Sequence, residues 1–130
     1  MDFNLPPEIE AYRTRIRIFL DEYVLPLESD PKNFDSHESI ALPLLQTLRE
    51  RAKAENLWAL QVSKERGGGE LPMMGMAACY EEMGRSLYGP VVFNSHAPDD
   101  GNMMLLEKVA TDSQKDRWLQ PLIDGLVWSS

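Results

Sequence analysis

Pro6-Pro7-Glu8-Ile9-Glu10-Ala11-Tyr12-Arg13-Thr14-Arg15-Ile16-Arg17-Ile18-Phe19-Leu20-Asp21-Glu22-Tyr23-Val24-Leu25-Pro26 is the stretch that sets the fold class. Ile9, Tyr12, Ile16, Phe19, Leu20 and Tyr23 recur by threes and fours, the spacing that gathers side chains on one face of an α-helix. Pro7 stands where a first helical turn has no use for an amide hydrogen, and Pro26 is expected to stop the run. The same signature, a proline followed by an apolar face of helical period, recurs along the chain. Pro43 opens a segment to about Glu55 with Leu44, Leu45, Leu48 and Ala52 inward and Arg49, Glu50, Arg51 and Lys53 outward. Pro72 opens another, with Met73, Met76, Ala77, Tyr80 and Met83 on one face, Glu81 and Glu82 solvated, and Gly84 near its end. Pro90 precedes a short apolar helix, Val91 to His96. Pro98 precedes a further one whose buried stripe is Met103, Leu106 and Val109, with Asp99 and Asp100 complementing the dipole of its first turn.

Thr111 and Gln114 have the spacing of a capping box and start the last helix, whose face is Trp118, Leu119 and Leu122. Pro121 is expected to kink or shorten it and Gly125 to end it. Leu57 to Val62 resembles a strand and is read as an extended connector into the loop Lys64 to Gly69. Together these segments predict an all-α protein, an up-and-down-like bundle of about six helices forming one domain over residues 1–130. Leu126-Val127-Trp128-Ser129-Ser130 begins like a strand with no partner in the chain, and is read as the point where a longer polypeptide has been cut.

Composition narrows the function. The chain has 13 basic and 21 acidic residues in 130, a net charge of −8, which disfavours docking on nucleic acid or an anionic membrane surface. No apolar run reaches bilayer length, and Met1-Asp2-Phe3-Asn4-Leu5 has neither the basic nor the apolar part of a leader, so a cytoplasmic location is expected. Cys79 stands alone and excludes an intrachain disulfide. It has no neighbouring histidine to activate it and is expected to be a buried, inert thiol.

Gly67-Gly68-Gly69 fits neither dinucleotide nor P-loop spacing and is read as a plain loop. His96, Asp99 and Asp100 are too few for a closed metal site, so no metal is expected. Paired carboxylates at Glu81-Glu82 and Asp99-Asp100 diverge around a helix and do not share a site. Met73, Met74, Met76, Met103 and Met104 fit ordinary core packing better than a lipid-shaped cavity. The residues by themselves describe a helical domain without a catalytic constellation.

Three stretches carry a family resemblance. They are Ile16-x-x-Phe19 leading to Val24-Leu25-Pro26; Glu55-Asn56-Leu57-Trp58-Ala59-Leu60 leading to Gly67-Gly68-Gly69-x-Leu71-Pro72; and Asn94-Ser95-His96-Ala97-Pro98-Asp99-Asp100-Gly101-Asn102-Met103-x-x-Leu106 with Thr111-x-x-Gln114-Lys115-x-x-Trp118-Leu119-x-Pro121-Leu122-x-x-Gly125. Their order and spacing resemble the N-terminal domain of acyl-CoA dehydrogenases, in particular a branch whose members carry APDxGN at this place.

The resemblance implies a helical first domain followed by a β-domain and a C-terminal helical bundle, with FAD between the latter two, both missing from this chain. It implies an oxidoreductase of fatty acid metabolism. A glutamate of the C-terminal bundle takes the α-proton of an acyl-CoA, a hydride passes from the β-carbon to the flavin, and a 2,3-enoyl-CoA results. An electron-transfer flavoprotein is the implied electron acceptor, and the enzyme is expected to be a homo-oligomer. No catalytic or flavin-binding residue of the family falls within this chain, so the chain alone is expected to be inactive and to hold no FAD. What it supplies, by resemblance, is one wall of the acyl pocket, with Phe93, His96, Ala97, Asp100 and Met104 as the substrate-binding candidates. His96 and Asp100 are spaced to pair as i and i+4, which is unusual in a tunnel for a plain fatty acyl chain and leaves polar, branched or aromatic acyl groups open. The alternative is a free-standing helical interaction module that keeps the family's fold without its chemistry.

Overall fold

The computed structural model of the protein describes residues 4–37 and 39–129. Met1 to Phe3, on which the reading of a missing leader partly rests, and the terminal Ser130 lie outside the described residues. Helix α1 (Pro7–Phe19) runs through a wide π turn (Leu20–Val24) into α2 (Leu25–Glu28). After a short 3₁₀ turn (Pro31–Asn33) come α3 (Leu42–Ala54), α4 (Met73–Met83), α5 (Gly89–Val92) and α6 (Asp99–Val109). The last rod is α7 (Asp112–Gln114), a second π turn (Lys115–Leu119) and α8 (Gln120–Ile123). Counted as continuous rods these are six helices, the number and class the sequence predicts, and no strand occurs among the described residues.

Neither internal proline ends its helix, contrary to expectation for Pro26. Each sits just past a π turn: the amide of Leu25 bonds to the carbonyl of Leu20 and that of Gln120 to Lys115, five residues back in both cases. A proline ring clashes with the carbonyl four residues before it, here Glu22 or Arg117, and the widened turn carries that carbonyl aside. The rod therefore continues to Glu28 in one case and to Ile123 in the other. Gly125, at φ +72°, supplies the left-handed residue that ends the second rod, as the sequence predicts. The Thr111–Gln114 capping box also forms, with both reciprocal bonds present.

The core is one apolar cluster to which every long helix contributes, including Ile16, Phe19, Leu48, Ala52, Met83, Met103 and Leu119. Phe19 stands at its centre, edge-on to Tyr23 and to Phe93 at ring separations of 5.2 and 5.0 Å. α1 packs along α4, α3 against α5, and α6 against the last rod. Leu57 to Val62 is not extended. Ala59 is left-handed at φ +47°, its amide donates to the Phe93 carbonyl at 3.0 Å, and the Val62 amide turns back to the Ala59 carbonyl. With no partner strand to satisfy its backbone, this apolar stretch buries itself as turns.

Several faces are rotated from the sequence reading. On α4 the buried side holds Gly75, Met76, Ala78, Cys79, Glu82 and Met83, whereas Met73 and Ala77 are exposed. Glu82, expected in solvent, is drawn inward by arginines of α1. Arg49, also expected outward, is buried because its Nε donates to the Val91 carbonyl at 3.1 Å and its guanidinium lies over Trp58 and Trp128. Val109 and Trp118, expected inward, are exposed. The wide turn ending at Leu119 directs Leu119, Leu122 and Ile123 to the core and leaves Trp118 at the edge. α5 stops at Val92, short of His96, because Asn94 takes a left-handed conformation at φ +56°. Its side-chain amide then donates to the carbonyls of Leu122 and Ile123 at 3.0 and 3.2 Å, at the end of α8, where the Gly125 amide and the Trp58 indole also donate.

Candidate functional site

A polar cluster lies where the chain enters α6. Pro98 precedes the helix, so His96 and Ala97 belong to the incoming loop and Asp99 and Asp100 to the first turn. Residues 96–100 therefore do not share one helix, and the one-turn pairing of His96 with Asp100 does not form between their side chains. The backbone amide of Asp100 donates to the His96 carbonyl at 2.9 Å, while His96 Nε2 lies 3.3 Å from Asp99 Oδ2. Asp100 instead accepts the phenol of Tyr80, reaching over from α4, on Oδ2. Asp99 is almost wholly buried and binds Ser129, accepting its amide at 2.6 Å and its hydroxyl at 2.5 Å on Oδ1.

Burial lowers the pKa of His96 below the ordinary imidazole value, outweighing the nearby Asp99 carboxylate, so the ring is neutral at pH 7. Its proton belongs on Nε2, the nitrogen that faces Asp99. Nδ1 then carries a bare lone pair. Among the buried side-chain atoms, His96 Nδ1 and Asp100 Oδ1 have no hydrogen-bond partner. Both want a donor, and a buried acceptor left without one is costly. Burial also raises the Tyr80 phenol above its usual range, helped by its bond to Asp100, so Tyr80 is a fixed donor and no base.

The other expected wall residues fall around this cluster in two groups. Ala97 is exposed, and His96, Asp100 and Met104 are half-buried, so the four offer a surface. Phe93 lies behind it, fully buried against Phe19. No sequence pattern marks Tyr80, Asp99 and Ser129 as partners of this cluster. Tyr80 and Asp100 stand on different helices, and nothing in their spacing marks the pair.

Two clefts of about 520 and 500 Å³ open beside the cluster. Leu105, Leu106, Trp118, Leu122 and Val127 line the first, which is mostly apolar with Arg117 at its rim. Leu45, Arg49, Lys53 and Trp58 line the second, which is more polar. Trp128 borders both.

The three-glycine loop offers nothing to the pyrophosphate of a flavin dinucleotide. Its amides are engaged internally, Gly67 to Lys64, Gly68 to Ser63 and Gly69 to Ala59. Gly68 is pressed against backbone so closely that a Cβ would stand 2.2 Å from the Val62 carbonyl oxygen. This loop does not fit FAD. Cys79 is buried as expected, which pushes its thiol up to about 11 and removes the thiolate a nucleophile would need.

Residues 6–126 match the family model "Acyl-CoA dehydrogenase, N-terminal domain". The chain belongs to the acyl-CoA dehydrogenase family. It is 36% identical to mouse acyl-CoA dehydrogenase family member 10, with 97% of this chain aligned to 12% of that protein. Against "Probable acyl-CoA dehydrogenase FadE2" of Mycobacterium tuberculosis it is 34% identical, all of this chain aligning to 32% of the relative. A solved acyl-CoA dehydrogenase-type chain from Mycobacterium abscessus superimposes with a TM-score of 0.80 at 32% identity, over 95% of this chain and 33% of that one. The chain thus spans a third or less of the length of these acyl-CoA dehydrogenase relatives.

Proposed function

We propose that this domain serves an FAD-dependent acyl-CoA dehydrogenase by forming one wall of its acyl pocket. The wall comprises His96, Ala97, Asp100 and Met104, with Phe93 supporting it from the core. The observation that carries this reading is the pair of unpartnered buried acceptors, His96 Nδ1 and Asp100 Oδ1, on a surface of otherwise small or apolar groups. Such atoms gain most from a ligand that brings a hydrogen-bond donor, so the reading favours an acyl end that is polar over a plain hydrocarbon. The chemistry itself, removal of the α-proton and hydride transfer from the β-carbon to give a 2,3-enoyl-CoA, belongs to parts of the longer enzyme, as does FAD. On the same reading that enzyme is a cytoplasmic homo-oligomer whose electrons pass to an electron-transfer flavoprotein. Family membership supports these further points.

The test is Asp100→Ala in the longer enzyme, with two acyl-CoA substrates that differ by one polar group at the acyl end. The ratio of their kcat/KM values is expected to move by about tenfold, the equivalent of one hydrogen bond, while flavin content per protomer stays constant. An unchanged ratio with a lowered melting temperature would assign Asp100 to helix stability alone.

A further inference from the structure

Leu126, Val127 and Trp128 are 75%, 46% and 51% exposed, so their own burial does not hold them where they are. What holds the segment is polar and lies beneath it. Asp99, at 2% exposure, accepts both the amide and the hydroxyl of Ser129, and Asn102 donates to the same hydroxyl at 2.8 Å. Trp128, one residue earlier, is caught between a guanidinium and an imidazole. The Arg49 guanidinium sits 4.4 Å from its centroid, and the His96 ring meets it edge-on at 5.1 Å. The anchors come from three places in the sequence: α3, the loop before α6, and the first turn of α6.

We propose that Asp99 is a latch that straps residues 126–129 across the domain, and that the strapped Trp128 divides one groove into the two clefts it borders. The reasons are geometric. A carboxylate with a hydroxyl and an amide on one oxygen and an imidazole on the other fixes the strap at its far end. Gly125 gives the strap a left-handed hinge at its near end, with no side chain to resist turning. Between hinge and latch, the Leu126 amide bonds to the Pro121 carbonyl at 2.9 Å, and Trp128 makes the ring contacts that a shift would break. When the latch opens, the apolar cleft beside α8 and the polar cleft beside α3 become one groove. This inference rests on contacts within the chain and stands apart from the proposed function.

Amide hydrogen exchange on the 130-residue chain tests it. Asp99→Ala is expected to speed exchange at residues 127–129 by about tenfold or more while the amides of α1 and α4 keep their rates. Because Asp99 is buried and its loss could unfold the domain, Ser129→Pro supplies a second route. It removes both Ser129 donors to Asp99 without touching the carboxylate. In Ser129→Pro the ring-current shift that Trp128 imposes on the His96 ring protons is expected to disappear, and the Trp128 emission to move to the red. Unchanged exchange at 127–129 in Asp99→Ala, or an unchanged His96 and Trp128 environment in Ser129→Pro, overturns the latch. Uniform acceleration across all helices in a folded Asp99→Ala overturns it as well, since Asp99 would then be a general stabilising group.

Discussion

Two buried acidic clusters, one joining α4 to α1 and one at the start of α6, differ in the kind of their hydrogen bonding. Glu82 on α4 is saturated: Arg13 donates to it at 3.2 Å, Arg17 holds it with two nitrogens, and Arg85 approaches at 3.5 Å. No buried atom of that group is left open. At the start of α6, Asp99 is engaged by Ser129 on one oxygen and has His96 Nε2 3.3 Å from the other, but the neighbouring Asp100 and His96 each keep one buried acceptor without a donor. A cluster whose work is to join α1 to α4 can satisfy every atom. One that keeps open acceptors at a half-buried surface has room for a donor from outside the chain, as the proposed acyl wall requires.

The comparison breaks most visibly at Glu82. Replacing it with Ala is expected to destabilise the domain by about 2–3 kcal/mol, below the range for a fully buried pair because Arg17 and Arg85 keep 46% and 40% side-chain exposure and can hydrate. Urea unfolding would show it, and a loss under half a kilocalorie would make the cluster an ornament.

Acid titration of stability separates the two clusters next. The arginine bonds lower the pKa of Glu82, so its contribution is whole above its unfolded value near 4.5 and is lost as pH falls through the lower folded value. The pKa of His96 is lowered by burial, so the folded state binds fewer protons than the unfolded chain, and stability falls as pH drops from 6.5 toward the folded value. Unfolding free energies of wild type and His96→Asn should therefore diverge first near pH 6.5 and below. Those of wild type and Glu82→Gln should show a steeper difference only in the range under pH 4.5. Coincident pH profiles for wild type and His96→Asn would remove the neutral histidine.

The smallest effect sharpens the contrast. Asp100→Asn keeps an acceptor for Tyr80 and is expected to change stability by less than about 1 kcal/mol, since the residue makes one side-chain bond and leaves one oxygen open. A loss as large as that of Glu82→Ala would place both clusters in the same structural role.

Much of the fold was legible because it follows from local periodicity. Pro7, Pro43, Pro72 and Pro98 all stand at or next to helix starts, and Thr111 with Gln114 makes the capping box its spacing announces. The candidate wall was legible only through resemblance, because His96, Ala97 and Asp100 carry no chemical signature in isolation. Their partners were not legible at all. Tyr80 to Asp100 and Asp99 to Ser129 join residues 20 and 30 positions apart, on elements whose mutual placement no local pattern encodes.

By itself, then, the sequence determined the helical class, the six rods, Gly125 as the stop after α8 and the family, all properties of short-range spacing or of order along the chain. The tertiary structure alone decided which way the rods face. Glu82 and Arg49 read as surface residues by period, yet both are buried because distant groups, arginines of α1 and the carbonyl of Val91, meet their charges there. Pro26 reads as a stop and Pro121 as a kink or early end, yet a π turn ahead of each carries the clashing carbonyl aside and the rods run on. Periodicity reports the average polarity of a helix face. Whether a charge on that face is buried depends on what stands opposite, and only the folded chain brings that partner into place.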